Sequence, residues 1–145
     1  MEERMLNPTS WDISEKVDFT LHQCPKAERD VAIEVILRYR ASDAFAVTLD
    51  FLGRSGEISV SWTFARDILH FGLKQATGHG DVQIWPIASS RGSLICVSLI
   101  ASSGSALLTA PTKPIESWLQ RTFCLVPAGE ESQSLDWDGF FSSFE

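Results

Sequence analysis

The stretch "TFARDILHFGLKQATGHGDVQIW", residues 63–85, decides the fold. In its first half the apolar residues Phe64, Ile68, Leu69 and Leu73 fall at helical spacing, with Arg66, Asp67, His70 and Lys74 on the remaining positions around them. Thr63 stands where an N-cap belongs and Gly78 where a left-handed residue stops a helix. The spacing therefore predicts a helix over 64–75. Beyond the glycines, Val82 and Ile84 return to an alternation of two, Trp85 points to the opposite side, and Pro86 is expected to end that strand. A single helix thus divides two strand-forming regions.

Upstream, residues 13–21 place Ile13, Val17, Phe19 and Leu21 on one face and Ser14, Lys16, Asp18 and Thr20 on the other, the pattern of a half-buried strand. Residues 31–39 repeat it with Val31, Ile33, Val35, Leu37 and Tyr39, and Phe45, Val47, Leu49 and Phe51 make a third strand. "YRASDAF" between them has turn chemistry. The glycine-bounded "GRSG" at 53–56 leads to a fourth strand whose Ile58, Val60 and Trp62 are expected to face inward. Downstream, "SLICVSLIA" at 93–101 is apolar on both faces, which places it deep in the sheet or in a subunit contact. "SSGSALLTAP" supplies a last turn and short strand. From Pro114, residues Ile115, Trp118, Leu119 and Thr122 lie at i, i+3, i+4 and i+7, a second amphipathic helix running to about Phe123. The expected order is ββββαβββα, an α+β fold with an antiparallel sheet and not a doubly wound parallel one.

The chain's 145 residues suit one domain with one core. We divide it into an N-terminal extension (1–10), the domain proper (11–127) and an acidic, aromatic tail (128–145). The tail holds Glu130, Glu131, Asp136, Asp138 and Glu145 with no Lys or Arg, so it carries most of the net charge of −7 and leaves the body near neutral. Nucleic-acid binding draws its affinity from Lys and Arg on phosphates, and no basic stripe is present. Cys24, Cys96 and Cys124 are odd in number and widely spaced, which reads as reduced thiols in a cytoplasmic protein. The N-terminus is too polar for a signal peptide, and no apolar run approaches the ~20 residues of a membrane span.

"TGHGD" follows a helix and so meets its negative end, which argues against a phosphate site. His79 reads as an exposed loop histidine, and His22-x-Cys24 is a single weak pair; no metal and no cofactor are expected. No "GxSxG", "HExxH" or "CxxC" pattern occurs, so an enzyme is not expected. Trp62 and Trp118 read as core residues. In the tail, Leu135, Trp137, Phe140, Phe141 and Phe144 are interleaved with acids and serines, a pattern of apolar anchors that either dock in a partner's groove or fold back on the domain itself or a neighbouring subunit. Trp137, Phe140, Phe141 and Phe144 are the candidate partner-binding residues.

"VSWTFARDILHFGL", "TGHGDVQIWP", "ALLTAP", "IESWLQRT" and "VPAGEE", colinear over roughly residues 30–131, resemble the SsgA-like proteins of actinobacterial sporulation and cell division. Arg66, Asp67, Gly78, Gly80, Asp81, Trp85 and Pro86 are the most specific positions of that motif. The resemblance implies a whirly-like fold, homo-oligomers of the trimer type, and a non-catalytic adaptor that recruits or positions FtsZ, or another SsgA-like protein, at cytoplasmic septum sites. It implies no catalytic residues. The alternative is single-stranded nucleic-acid binding on the whirly-like sheet.

Overall fold

Alternation of apolar and polar side chains builds β1 (Ile13–His22), β2 (Val31–Tyr39), β3 (Ala46–Leu52) and β4 (Ile58–Ala65), each pairing antiparallel with the one before it. The computed structural model describes residues 10–22 and 30–134. Helix α1 (Arg66–Gly72) follows β4 directly. A second meander of β5 (Thr77–His79), β6 (Val82–Ser89), β7 (Gly92–Ala101) and β8 (Gly104–Pro111) leads into α2 (Thr112–Leu125). The eight strands form one sheet in the order β4-β3-β2-β1-β8-β7-β6-β5. Among the described residues its two halves pair along a short seam, where Thr20, Leu21 and His22 stand opposite Thr109, Leu108 and Leu107.

The sheet cannot be flat. Seven inter-strand steps of ~4.8 Å would separate the edges β4 and β5 by about 34 Å. The segment joining them is α1, about 10 Å long, and residues 73–76, which span at most about 14 Å. The edges are therefore drawn together, and α1 packs against β4, β5 and β6 alike. The curled inner face carries the core: Phe19, Leu37 and Leu49 from the first meander and Ile84, Ile95 and Leu108 from the second are all nearly inaccessible. Helix α2 lies on β1 and β7, burying Ile115, Trp118, Leu119 and Thr122 as its spacing predicts. The Trp118 indole N–H donates to the Ile13 carbonyl at 3.3 Å.

Several local expectations are corrected. The order is ββββαββββα, because "TGH" is not a helix stop but the short strand β5. Helix α1 ends earlier, with Lys74 and Gln75 N–H groups closing on the Phe71 carbonyl. Gly78 uses its φ of 101° inside β5, and Gly80 (φ 72°) with Asp81 makes the two-residue turn to β6. Only the first turn position has positive φ, which is a II′ hairpin. The helix also starts later. Phe64 belongs to β4, and Thr63 is no cap: its hydroxyl bonds the Thr48 hydroxyl on β3 at 2.8 Å.

Pro86 lies within β6, opposite Ile95, instead of ending it. Past Ile84 the β5 side of β6 has no partner strand, which is where a missing N–H is tolerated. In β4 a register shift between Phe51 and Leu52 sends Ile58 to the outer face, 51% exposed, while Val60 and Trp62 stay on the inner side. Strand β7 is central, between β6 and β8, with Ile95, Val97 and Leu99 in the core, Cys96 buried on the outer side and Ile100 exposed.

Candidate functional site

Arg66 is the most informative residue of the motif, and the sequence misplaces it. As the first residue of α1 it was expected among the positions around the apolar stripe; it is 1% exposed. One terminal nitrogen donates to the Thr122 carbonyl and hydroxyl (3.1 and 3.3 Å), and the other donates to Glu131 at 2.9 Å. The guanidinium packs on the rings of Phe123 and Tyr39, with centroid distances of 4.0 and 4.9 Å. Its Nε has no acceptor among the described residues. Glu131, assigned from sequence to the acidic tail, is buried in a 3-10 turn (Glu131–Ser134), and its second oxygen accepts the Gly129 N–H. The Arg66 hydrogen bond holds the Glu131 carboxyl below its ordinary pKa. Burial pushes the Tyr39 phenol up, and its hydroxyl donates to the Ala44 carbonyl. This knot joins the end of β4, the last turn of α2 and the chain's final described turn.

Two other polar clusters lie on the outer face. His22 faces Asp30 through Nδ1 (2.9 Å) and the Thr109 hydroxyl through Nε2 (2.8 Å). The chain carboxylate–imidazole–hydroxyl has the order of a hydrolytic triad. It sits across the β1–β8 seam, however, on the side away from an open groove that Leu21 and Leu108 line instead. Its evident work is to tie the seam. On β2–β4 the buried carboxylate of Asp50 accepts from Arg38 Nε and the Ser61 hydroxyl, while Arg40 stacks on Trp11 at 4.3 Å. Neither cluster is legible in sequence, because its members lie from 8 to 87 residues apart.

An open groove of about 730 Å³ lies at the end of the curled sheet that neither helix covers. Phe51, Val60, Trp62, Ile33 and Ala106 line it, with Arg54 and Glu34 at its margin. Val60 is 48% exposed, and Trp62, expected in the core, forms a half-buried wall. The groove has the size and apolar lining of a binding site.

The remaining motif residues are spread out. Asp67 and Asp81 are exposed, and Trp85 and Pro86 are half-buried on β6. Gly78 is sterically required, because a Cβ there would collide with the Val82 carbonyl. Trp137, Phe140, Phe141 and Phe144 lie outside the described residues, as do Cys24 and the side chain of His79. Among the described residues no group of three or more His, Cys, Asp and Glu is placed to hold a metal ion, and no helix is long and apolar enough to cross a membrane.

The fold and these surfaces define a class: an α+β domain on one curled antiparallel sheet, locked by an internal Arg–Glu pair and opening on an apolar groove. The family model described as "Streptomyces sporulation and cell division protein, SsgA" matches residues 33–131. The chain is 40% identical over 112 residues to the sporulation-specific cell division protein SsgB of Streptomyces coelicolor, covering 77% of this chain and 81% of that one. It is 40% identical over 108 residues to SsgB of Frankia casuarinae, covering 74% and 75%. The crystal structure of an SsgA-like sporulation-specific cell division protein from Thermobifida fusca superposes with a TM-score of 0.81 at 31% identity, over 96% of this chain and 100% of that one. A structure of S. coelicolor SsgB, mutations in which correlate with longitudinal cell division during sporulation, gives 0.77 at 36% identity over 85% and 94%. The chain belongs to the SsgA family of sporulation and cell division proteins.

Proposed function

We propose that this chain is a non-catalytic adaptor of sporulation septation that recruits or positions FtsZ, or a related SsgA-like protein, on the cytoplasmic side of the future septum. The observation that carries the reading is the family match across the domain, to relatives named for sporulation-specific cell division. Mutations in S. coelicolor SsgB correlate with longitudinal cell division, and a change in the direction of division is what a faulty positioning adaptor produces. The site geometry is compatible: the buried charges are engaged in structure, and the large concavity is apolar. Nucleic-acid binding gains nothing from the outer face, where Lys16 is matched by Glu34 and Arg38 by Asp50.

The partner contact falls to Trp137, Phe140, Phe141 and Phe144, and the adaptor works as a homotrimer. Co-sedimentation with polymerising FtsZ, alongside pull-down with SsgA-like relatives, tests the reading. Binding in one of them, lost on deletion of residues 135–145 with the domain still folded, supports it. Binding in neither overturns the adaptor role, and binding that survives the deletion moves the contact off the tail.

A further inference from the structure

Strand β4 is an edge of the sheet, and its eight residues are exposed except for Trp62 and Phe64. Strand β3 pairs with it on one side, and α1 packs at its end. The register fixes which backbone groups are left over. The Arg66 N–H donates to the Phe45 carbonyl at 2.7 Å, so these two form a hydrogen-bonded pair, and by alternation Phe64, Trp62 and Val60 also turn their backbone groups to β3. Ser61 and Thr63 turn theirs the other way, where nothing among the described residues bonds them. Folded proteins cover such an edge or block it with charges or proline. The β4 sequence "ISVSWTFA" contains neither.

The two faces beside this edge differ. Val60, 48% exposed, and Trp62 line the apolar groove, whereas Ser61 and Thr63 lie on the outer face with Arg38 and Asp50. Opposed side chains of paired strands share a face, so a strand laid along β4 puts the residues opposite Trp62 and Val60 in the groove and those opposite Thr63 and Ser61 on the polar side. Running antiparallel, its C-terminal end arrives at the β3–β4 turn, where Arg54 lines the groove with no acid partner among the described residues. Glu34, on the same margin, is matched by Lys16 at 3.8 Å. We propose that β4 takes an extended segment of a partner protein as an added antiparallel strand, with apolar residues at alternate positions in the groove and an acidic C-terminal end on Arg54. Main-chain hydrogen bonds to Ser61 and Thr63 supply the affinity, and the groove and Arg54 supply the selectivity. This contact is additional to the one proposed for the tail and does not rest on it.

Fluorescence anisotropy tests this with the full chain and a set of labelled octapeptides that carry Leu, Val or Phe at alternate positions, Thr between them and Glu as the last residue. Binding is expected, weakened at least about tenfold by Val60→Glu, which sets a charge against the apolar residues, and about fivefold by Arg54→Glu. Arg54→Glu should in turn prefer peptides that end in Lys. The decisive readout leaves the protein unchanged. N-methylation of the Thr amides, which face Ser61 and Thr63, should abolish binding, and N-methylation at the apolar positions, whose amides face away from β4, should not. No binding across the set, or equal loss from methylation at both kinds of position, overturns the proposal. Binding seen only in a chain ending at Ser134, or only at dilutions where sedimentation shows an oligomer coming apart, gives the edge to the chain's own tail or to a second copy. Either result overturns the assignment to a separate partner.

Discussion

Replacing Arg66 by Met removes the knot's cation while keeping an unbranched stem to fill its space. In the wild type the guanidinium is 1% exposed and makes three hydrogen bonds, one of them to a carboxylate that is itself buried. Met leaves Glu131 with the Gly129 N–H but no counter-charge, and leaves the Thr122 carbonyl with the Val126 N–H alone. Breaking one side of a buried ion pair costs about 3–5 kcal/mol. At roughly 3–4 °C per kcal/mol for a domain of this size, the expected drop in Tm is about 10–20 °C. Glu131→Gln, which still accepts a hydrogen bond but leaves the cation uncompensated, is expected to cost about 2–3 kcal/mol. The double variant R66M/E131Q leaves no unpaired charge and should cost at least about 1.5 kcal/mol less than the sum of the singles. Urea denaturation of the four proteins at neutral pH measures the cycle. Additivity within about 0.5 kcal/mol would refute the claim that the two side chains act as one buried unit.

The same pair sets a pH dependence. The folded-state pKa of Glu131 lies below its unfolded value, so its contribution is complete above the unfolded value of about 4.3 and is lost as pH falls through the folded one. The wild type should lose stability on acidification through that window, and Glu131→Gln should lose less when both are followed by urea midpoint. Gly72→Ala drives a Cβ to 2.6 Å from Ile84 Cγ2 in the core, and overpacking of about 1–3 kcal/mol is expected in thermal denaturation. Gly80→Ala meets open space and costs only the left-handed backbone, about 1–2 kcal/mol, whereas Gly78→Ala adds a collision with the Val82 carbonyl and must cost more. In a Cys24→Ser background, a thiol reagent should modify exposed Cys124 quickly and buried Cys96, whose pKa burial raises, much more slowly; equal rates would contradict the placement of Cys96.

Much of the fold is local and was therefore readable. The bounds of β1 and β2 follow from strict alternation, and α2 from a stripe that runs from Ile115 through the inaccessible Trp118 to Thr122. What escaped depends on partners distant in sequence. Arg66 looks like a solvated helix residue until Glu131, 65 positions later, is brought beneath it. Thr63 looks like a cap until Thr48 across the strand takes its hydroxyl. Strand β5 is three residues long and Gly-rich, too short for any period, and exists because β6 offers it an edge. Ile58 follows the inward alternation of β4 on paper, and the bulge opposite Leu52 reverses it. Of the candidate site, the family motif was legible in the residues themselves. The groove was not, since β2, β3, β4 and β8 each contribute only a few residues to it.

The adaptor claim stands most directly on sedimentation with FtsZ polymer. Purified full-length chain is mixed with FtsZ under assembling and non-assembling nucleotide conditions and spun. The account predicts that the chain enters the pellet only with polymer, saturates with FtsZ, and leaves the pellet when residues 135–145 are removed. A chain that stays in the supernatant at every FtsZ concentration, while SsgA-like relatives also fail to capture it, contradicts the account.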